Sequence, residues 1–385
     1  MSRYRGRRRS VSPLMLLIAL VVAIAAVVLI VINLGKDKKP ANDDADTPPI
    51  TSGNDAQPGN TDDPNTADGD NTADDVTPTY QKIELKGEEQ QYDAVYRVGD
   101  TGYEMYTYVD STAKKYADNV NAVADALAGK ATVYMLPIPL SSGISLPDEL
   151  YGKDIFADQK AAEQKIIGYM NGNVKSVALY DALMAHRTEY IYFRTDHHWT
   201  QLGAYYAYRA FAESVGLTPT PLSDMRSEVI NDDFQGSMYS FTGDARVKSF
   251  RDTVEVHYPT KDATMTVTRR DGTTQTYDRL IIPEYGSYLS FIASDNPFTV
   301  INVPSNPQDR SILVLKDSYG NAFVPFLAEH YGNIIVIDPR YCDENIAETY
   351  KNYGLTDILF VGNIQSHNSV AWSKYFYKCV GVDMG

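Results

Sequence analysis

Leu14 to Ile32 is an unbroken run of nineteen Leu, Met, Ile, Ala and Val residues. At about 1.5 Å per residue, a helix of this length crosses the hydrocarbon core of a bilayer, so the pattern predicts a membrane helix over residues 14–34. A cleaved leader has a shorter apolar stretch of about 7–15 residues, closed by a small-x-small site. Here Gly35, Lys36 and Asp37 follow instead. From 35 to 80 large apolar residues almost vanish, Ile50 and Val76 aside, and Asp, Asn, Thr, Pro, Gly and Ala dominate. So little apolar surface cannot offset the entropy of ordering, and the segment reads as a disordered acidic linker.

Apolar patterning returns after Gln81. Ser311–Lys316, Asn333–Asp338 and Asp357–Val361 are short β-branched runs, and Asn321–Tyr331 and Asp343–Tyr353 between them have helical length and one apolar face. Three buried strands joined by two crossovers predict a parallel α/β sheet. Ala131–Leu136 reads as a further buried strand after a helix over 111–127, and helices are also expected over 157–170 and 203–215. Alternation from Val254 to Tyr277 around Asp271-Gly272 predicts a hairpin, hence an antiparallel β insertion near 230–300. The expected layout is a basic tail (1–13), a membrane helix (14–34), a linker (35–80) and one α/β domain (81–385).

Charge sharpens this layout. The chain has 385 residues and a formal net charge of -15, which repels phosphate backbones and argues against a nucleic-acid partner. Five arginines (Arg3, Arg5, Arg7, Arg8 and Arg9) precede the apolar run and three lysines follow it. That bias favours a cytoplasmic N-terminus and an external C-terminal domain. Residues 40–80 carry ten Asp and no base, whose mutual repulsion extends the tether. Cys342 and Cys379 are the only cysteines. They are too few for a four-cysteine zinc site, and in an oxidising exterior their spacing leaves both a disulfide and two thiols open.

Two dense clusters carry candidate chemistry. Thr195-Asp196-His197-His198-Trp199-Thr200 places a carboxylate one residue from an imidazole. In an extended segment Asp196 and His198 share a side, so the carboxylate can fix the tautomer and leave the second nitrogen free to accept a proton, with His197 turned away. Thr200 fits equally well as a helix N-cap. Lys316-Asp317-Ser318-Tyr319-Gly320-Asn321 lies between a predicted strand and helix, where ligands bind in parallel α/β sheets and free amides can face an oxyanion. Ser318 is the candidate nucleophile there, with Tyr319 beside it as an expected oxyanion or substrate contact. Arg340 and Asn363 follow the next two strands, so three strands deliver polar groups to one rim. Trp199 is the expected sugar-stacking platform, with Tyr285 and Tyr288 as candidate groove residues and His367 as a weaker rim candidate. Asp196, His197 and His198 also offer three ligands for a metal-dependent phosphoesterase, although adjacent side chains of an extended strand diverge.

Phe193-Arg-Thr-Asp-His-His-Trp-Thr-Gln-Leu-Gly-Ala204, the Lys-Asp-Ser-Tyr-Gly-Asn-Ala-Phe block at Ser318 and Ile337-Asp-Pro-Arg-Tyr341 resemble the DHHW protein family. That family is similar to the SGNH-hydrolase-like alginate O-acetyltransferases AlgJ and AlgX. The resemblance implies a three-layer α/β/α fold and an extracytoplasmic acetyltransferase or acetylesterase acting on a cell-surface polysaccharide. A membrane-bound O-acyltransferase is the implied partner, and no cofactor or metal is implied. Carried over, Asp196 orients, His198 is the general base, Ser318 is the acyl-accepting nucleophile and Arg340 positions substrate. Lys316-Asp317-Ser318 departs from the Gly-Asp-Ser of ordinary SGNH enzymes, and Gly362-Asn363 only loosely matches their Gly-x-Asn-Asp block, which leaves the oxyanion donors open. The alternative is a non-catalytic polysaccharide-binding or scaffolding protein of the cell envelope.

Overall fold

The computed structural model describes residues 80–342 and 344–380. The expected tail, membrane helix and linker, up to residue 79, lie outside the described residues. Among the described residues, no helix is long and apolar enough to cross a membrane. Tyr80, placed in the linker by composition, already belongs to the folded body, where its hydroxyl donates to Asp181 at 2.7 Å.

The strands are β1 (Glu89–Gln91), β2 (Val95–Val98), β3 (Thr101–Glu104), β4 (Thr132–Ile138), β5 (Val174–Ser176), β6 (Arg226–Phe234), β7 (Asp252–Tyr258), β8 (Thr264–Thr268), β9 (Thr274–Tyr277), β10 (Phe298–Asn302), β11 (Ser311–Lys316), β12 (Asn333–Ile337) and β13 (Asp357–Asn363). The longer helices are α1 (Asp110–Ala126), α2 (Gln159–Gly168), α3 (Gln201–Ser214), α4 (Gly320–Leu327), α5 (Ile346–Tyr353) and α6 (Val370–Val380). An eight-stranded sheet runs in the order β5-β4-β13-β11-β12-β10-β8-β9. Neighbours from β5 to β12 are parallel, and those from β12 to β9 are antiparallel. This is an α/β fold with a mainly parallel central sheet. Every side chain of β11 is buried, which explains why its sequence is a continuous apolar run rather than an alternation.

The antiparallel insertion differs in detail from expectation. The hairpin about Asp271-Gly272 joins β8 to β9, with Gly272 at φ +80° and the Arg269 amide donating to Thr273 O at 2.7 Å. β8 and β9 extend the central sheet through β10 instead of interrupting it. Val254–Tyr258 pairs with β6 in a separate two-stranded sheet. β1–β3, which periodicity did not reveal, form a three-stranded antiparallel sheet.

Helices follow their apolar spacing. α1 buries Ala113, Tyr116, Ala117, Val120, Val123 and Ala124, positions three and four apart that make one face. It packs against α6, while α3 packs against α4. Thr200 caps α3, accepting from Gly203 N at 3.4 Å. α5 starts later than its pattern suggested because Asn345 caps it, accepting from Ala347 N at 2.8 Å.

On α2, Glu163 is buried and accepts the Leu179 and Tyr180 amides at 2.7 and 3.0 Å, which holds the following turn in place. Burial pushes its carboxyl up to about 7 despite those bonds. The folded chain therefore binds this proton more tightly than the unfolded chain. The resulting stabilisation is full below about pH 4.5 and is lost as pH rises through about 7. Glu163→Gln keeps an acceptor for both amides without the charge. Denaturant melts should show it more stable than wild type at pH 8, by up to roughly 3 kcal/mol, with the gap closing by pH 5; a pH-independent gap would contradict this.

Candidate active site

The Asp196–Thr200 segment reaches the serine because three side chains pin it. Asp252, at the start of β7 and fully buried, accepts from the Thr195 amide at 2.7 Å and the Thr195 hydroxyl at 2.6 Å. Its other oxygen takes the Arg194 amide at 3.1 Å and the Tyr190 hydroxyl at 2.5 Å. Trp199 has no exposed surface and donates its indole N–H to Tyr319 O at 3.0 Å. The Tyr319 hydroxyl donates back to His197 O. Two residues expected to touch substrate are therefore internal. Trp199 is no stacking platform, and Tyr319, also without exposed surface, contacts no ligand space. Each buries its ring because a backbone carbonyl satisfies its polar tip.

Within that frame Asp196 Oδ1 lies 2.6 Å from His198 Nδ1, and His198 Nε2 lies 2.7 Å from Ser318 Oγ. The other Asp196 oxygen accepts the Ser237 amide at 2.9 Å. Burial works against the Asp196 charge, but His198 through charge and hydrogen bond, then His197 and the Ser237 amide, hold its carboxyl well below the usual range. An ionised Asp196 accepts from Nδ1–H, which fixes the tautomer that leaves Nε2 to accept from the serine hydroxyl. Tyr288 stacks on the His198 ring at 3.8 Å and 7°, and its hydroxyl donates to Ser318 O at 2.9 Å and Tyr319 O at 3.1 Å. It thus sets both ring and serine backbone from inside rather than lining a groove, while Tyr285 is exposed.

His197 does not point away. Its ring centroid lies 3.7 Å from that of His198, its Nδ1 meets Ser237 Oγ at 2.6 Å, and it lines the same cleft as Ser318. Burial, then the neighbouring His198, lower its basicity. Asp196, His197 and His198 do bring ligand atoms within 4.8 Å of one another. Those atoms are engaged with each other and with two hydroxyls, which makes a hydrogen-bonded chain and not an open metal cradle.

Asp317 joins the serine turn to the end of β13. It accepts from Tyr319 N at 2.9 Å, Asn363 N at 2.8 Å and Ser366 Oγ at 2.7 Å. Burial raises its carboxyl. Asn363 accepts from Ser366 N at 2.9 Å, which leaves its amide NH2 for the cleft it lines. Arg340 also lines that cleft, with Nε on Asp338 at 2.9 Å and Nη2 on Asp338 and Asp295 at 2.6 and 2.9 Å. The buried Lys316 ammonium completes the cluster, 2.9 Å from Asp295 and 3.1 Å from Asp338. Burial disfavours that charge, and the two carboxylates more than restore it. His367 is buried against Tyr116, 4.4 Å between ring centroids, and burial lowers it to about 3, so it is not a rim residue.

Ser318, Arg340 and Asn363 thus meet at the C-terminal ends of β11, β12 and β13 around a cleft of about 270 Å³. Pattern did not single out Asp252, Tyr288 in its stacking role, Ser237, Gly236 or Glu104. Nothing local marks Asp252 or Glu104, which act across 50 or more positions.

Fold and site define an α/β protein with an Asp-His-Ser hydrogen-bonded chain at the strand ends. The model of the DHHW protein family matches residues 59–337, and the chain belongs to that family. A DHHW family protein from Eubacterium siraeum DSM 15702 is 29% identical, covers 76% of this chain and 98% of its own, and has a TM-score of 0.70. Bacillus cereus PatB1 with a sulfonyl adduct is 18% identical over 75% of this chain and 98% of its own, with a TM-score of 0.61. The O-acetyltransferase domain of Pseudomonas putida AlgJ aligns more loosely, at 15% identity over 74% and 96% of the two chains and a TM-score of 0.42. No curated protein matches the sequence.

Gly236 passes directly over Asp196: an added Cβ would fall 2.2 Å from the Asp196 Cβ and 2.4 Å from Oδ2. Gly236→Ala must displace that carboxylate. The expected outcome is a folded protein whose Ser318 is labelled by a sulfonyl fluoride about a hundredfold more slowly; labelling at the wild-type rate would show that Asp196 does not set serine reactivity.

Proposed function

We propose that the protein is a membrane-anchored extracytoplasmic serine acyltransferase or esterase that handles O-acetyl groups of a cell-surface polysaccharide. The observation that carries this is the continuous chain from Asp196 through His198 to Ser318, at 2.6 and 2.7 Å, ending at an open cleft. His198 Nε2 takes the Ser318 proton as the oxygen attacks an acetyl carbonyl. The tetrahedral oxyanion is received by the Ser318 amide and the Asn363 side chain, and collapse expels the donor alcohol with the proton from His198. A sugar hydroxyl or water then gives its proton to His198, attacks the acetyl-enzyme and restores the serine. Residues 14–34 hold the chain in the membrane, the linker carries the domain outward, and a membrane-bound O-acyltransferase supplies the acetyl unit.

Wild-type protein should release acetate from a chromogenic acetyl ester, and Ser318→Ala should lose about a thousandfold or more. The sulfonyl fluoride adduct should also disappear in that variant. Equal turnover by both proteins would remove the serine mechanism. Absence of turnover and adduct in wild type, with glycan binding intact, would favour the scaffolding alternative.

Fractionated cells should yield the full chain with the membranes, and protease added to intact cells should digest the domain. A domain protected until lysis would refute the outward topology.

A further inference from the structure

We infer that Glu104 selects the acyl acceptor: it takes a hydrogen bond from an uncharged sugar ring, at a hydroxyl beside the one that reacts, and turns away sugars that carry a carboxylate. The inference rests on the acyl-transfer reading above. Glu104 ends β3, in the small antiparallel sheet, which is docked on the motif segment by the Gly102 amide donating to Arg194 O at 2.9 Å. Its side chain lines the same cleft as Ser318 and His197.

What separates Glu104 from the other acids there is that it has nothing to hold. Asp196 serves His198 and Ser237. Asp317 serves Tyr319, Asn363 and Ser366. Asp295 and Asp338 serve Lys316 and Arg340. Among the described residues, the Glu104 carboxylate makes no hydrogen bond or ion pair and remains available to a ligand.

The charge around it points to an uncharged ligand. Arg340 is the cation on the cleft wall, but it and Lys316 are matched one for one by Asp295 and Asp338. No surplus positive charge is left to receive a uronate, and an ionised Glu104 repels one. Phe241, 45% exposed, and Trp372 border the same cleft, and such rings suit the C–H face of a pyranose. His197 and Asp196 face Glu104 from the motif segment, Asp317 from the serine turn and Arg340 from beyond β12. Burial, then Asp196 and Asp317 against His197, push its carboxyl up to about 6. It is therefore ionised, and a good acceptor, above that pH.

In the transfer step the reacting hydroxyl loses its proton to His198 Nε2 and bonds to the acetyl carbon. The Ser318 oxygen leaves and takes that proton back. Glu104 exchanges no proton and only holds the ring.

The test uses the full chain with 4-nitrophenyl acetate as donor and either chitotetraose, which is uncharged, or tetramannuronate as acceptor. The readout is the partition of acetyl-enzyme between acceptor and water. Transfer and hydrolysis share His198 and Ser318, so their ratio isolates acceptor capture. Wild type should favour chitotetraose, with a ratio that rises through about pH 6. Glu104→Ala should raise the chitotetraose KM about tenfold or more and lower the ratio of transfer to hydrolysis accordingly. Glu104→Gln should flatten the pH dependence and narrow the discrimination against tetramannuronate. Variants that partition as wild type does, or a wild type that prefers tetramannuronate, would overturn the inference. A wild type that never acetylates Ser318 would instead defeat the acyl-transfer reading. In that event binding still decides the acceptor claim: on a Ser318→Ala background, chitotetraose affinity must fall when Glu104→Ala is added, and an unchanged affinity rejects the inference.

Discussion

The 2.7 Å contact between His198 and Ser318 spans 120 positions of sequence, and a set of bonds behind it holds the two distant segments together. Neither residue is fixed by its own secondary structure, since both lie in irregular backbone outside named elements. The fixing is done by bonds that cross between the segments: the Trp199 indole on Tyr319 O, the Tyr319 hydroxyl on His197 O, and the Tyr288 hydroxyl on both carbonyls of the serine turn. Aromatic rings with polar tips suit this task. They exclude water along their length while each tip ties down one backbone carbonyl, a group that would otherwise be costly to bury.

Beneath the serine turn the molecule accepts a large local cost. Lys316 is buried with Asp338, and such a charge is tolerable only when its partners are complete. Asp295 completes them, and it is delivered by an unusual piece of backbone: Ile292, Ala293 and Ser294 all have positive φ, at 44°, 56° and 77°. Left-handed backbone costs about 1–2 kcal/mol per non-glycine residue, most for a β-branched one such as Ile292. Asn296 offsets part of this by donating to the carbonyls of Ala293 and Ser294 at 3.0 and 3.2 Å. The result is a base of alternating charge under the serine turn, with Gly320 leaving room for the Lys316 stem, 2.5 Å from where a Cβ would lie.

The central strands could be read from sequence because their environment is uniform. β11, β12 and β13 are covered on both sides, so apolarity alone identifies them, and their spacing gives the crossovers and the shared rim of Ser318, Arg340 and Asn363. Asp196 and His198 were legible because that pair sits within three residues. What sequence hid was mostly a matter of direction. Trp199 read as a sugar platform and Tyr288 as a groove residue because an aromatic ring beside polar site groups looks the same whether it faces solvent or core. Here a carbonyl within reach decides for the core. β1–β3 escaped notice because runs of three or four residues such as Glu89–Gln91 are too short to show a period. Glu104 escaped with them, and Asp252 is tied to the motif only through folding.

Strand order carries a further consequence. β13, the last strand among the described residues, lies between β4 and β11 in the middle of the sheet. Until residues 357–363 are synthesised and in place, β4 and β11 share no neighbour, Asp317 lacks two of its three donors, and Asn363 is missing from the rim. The C-terminal segment is thus the keystone: a nascent chain already contains the acid, the imidazole and the alcohol, yet the sheet beneath them and the donors around Asp317 stay incomplete until that segment locks the arch.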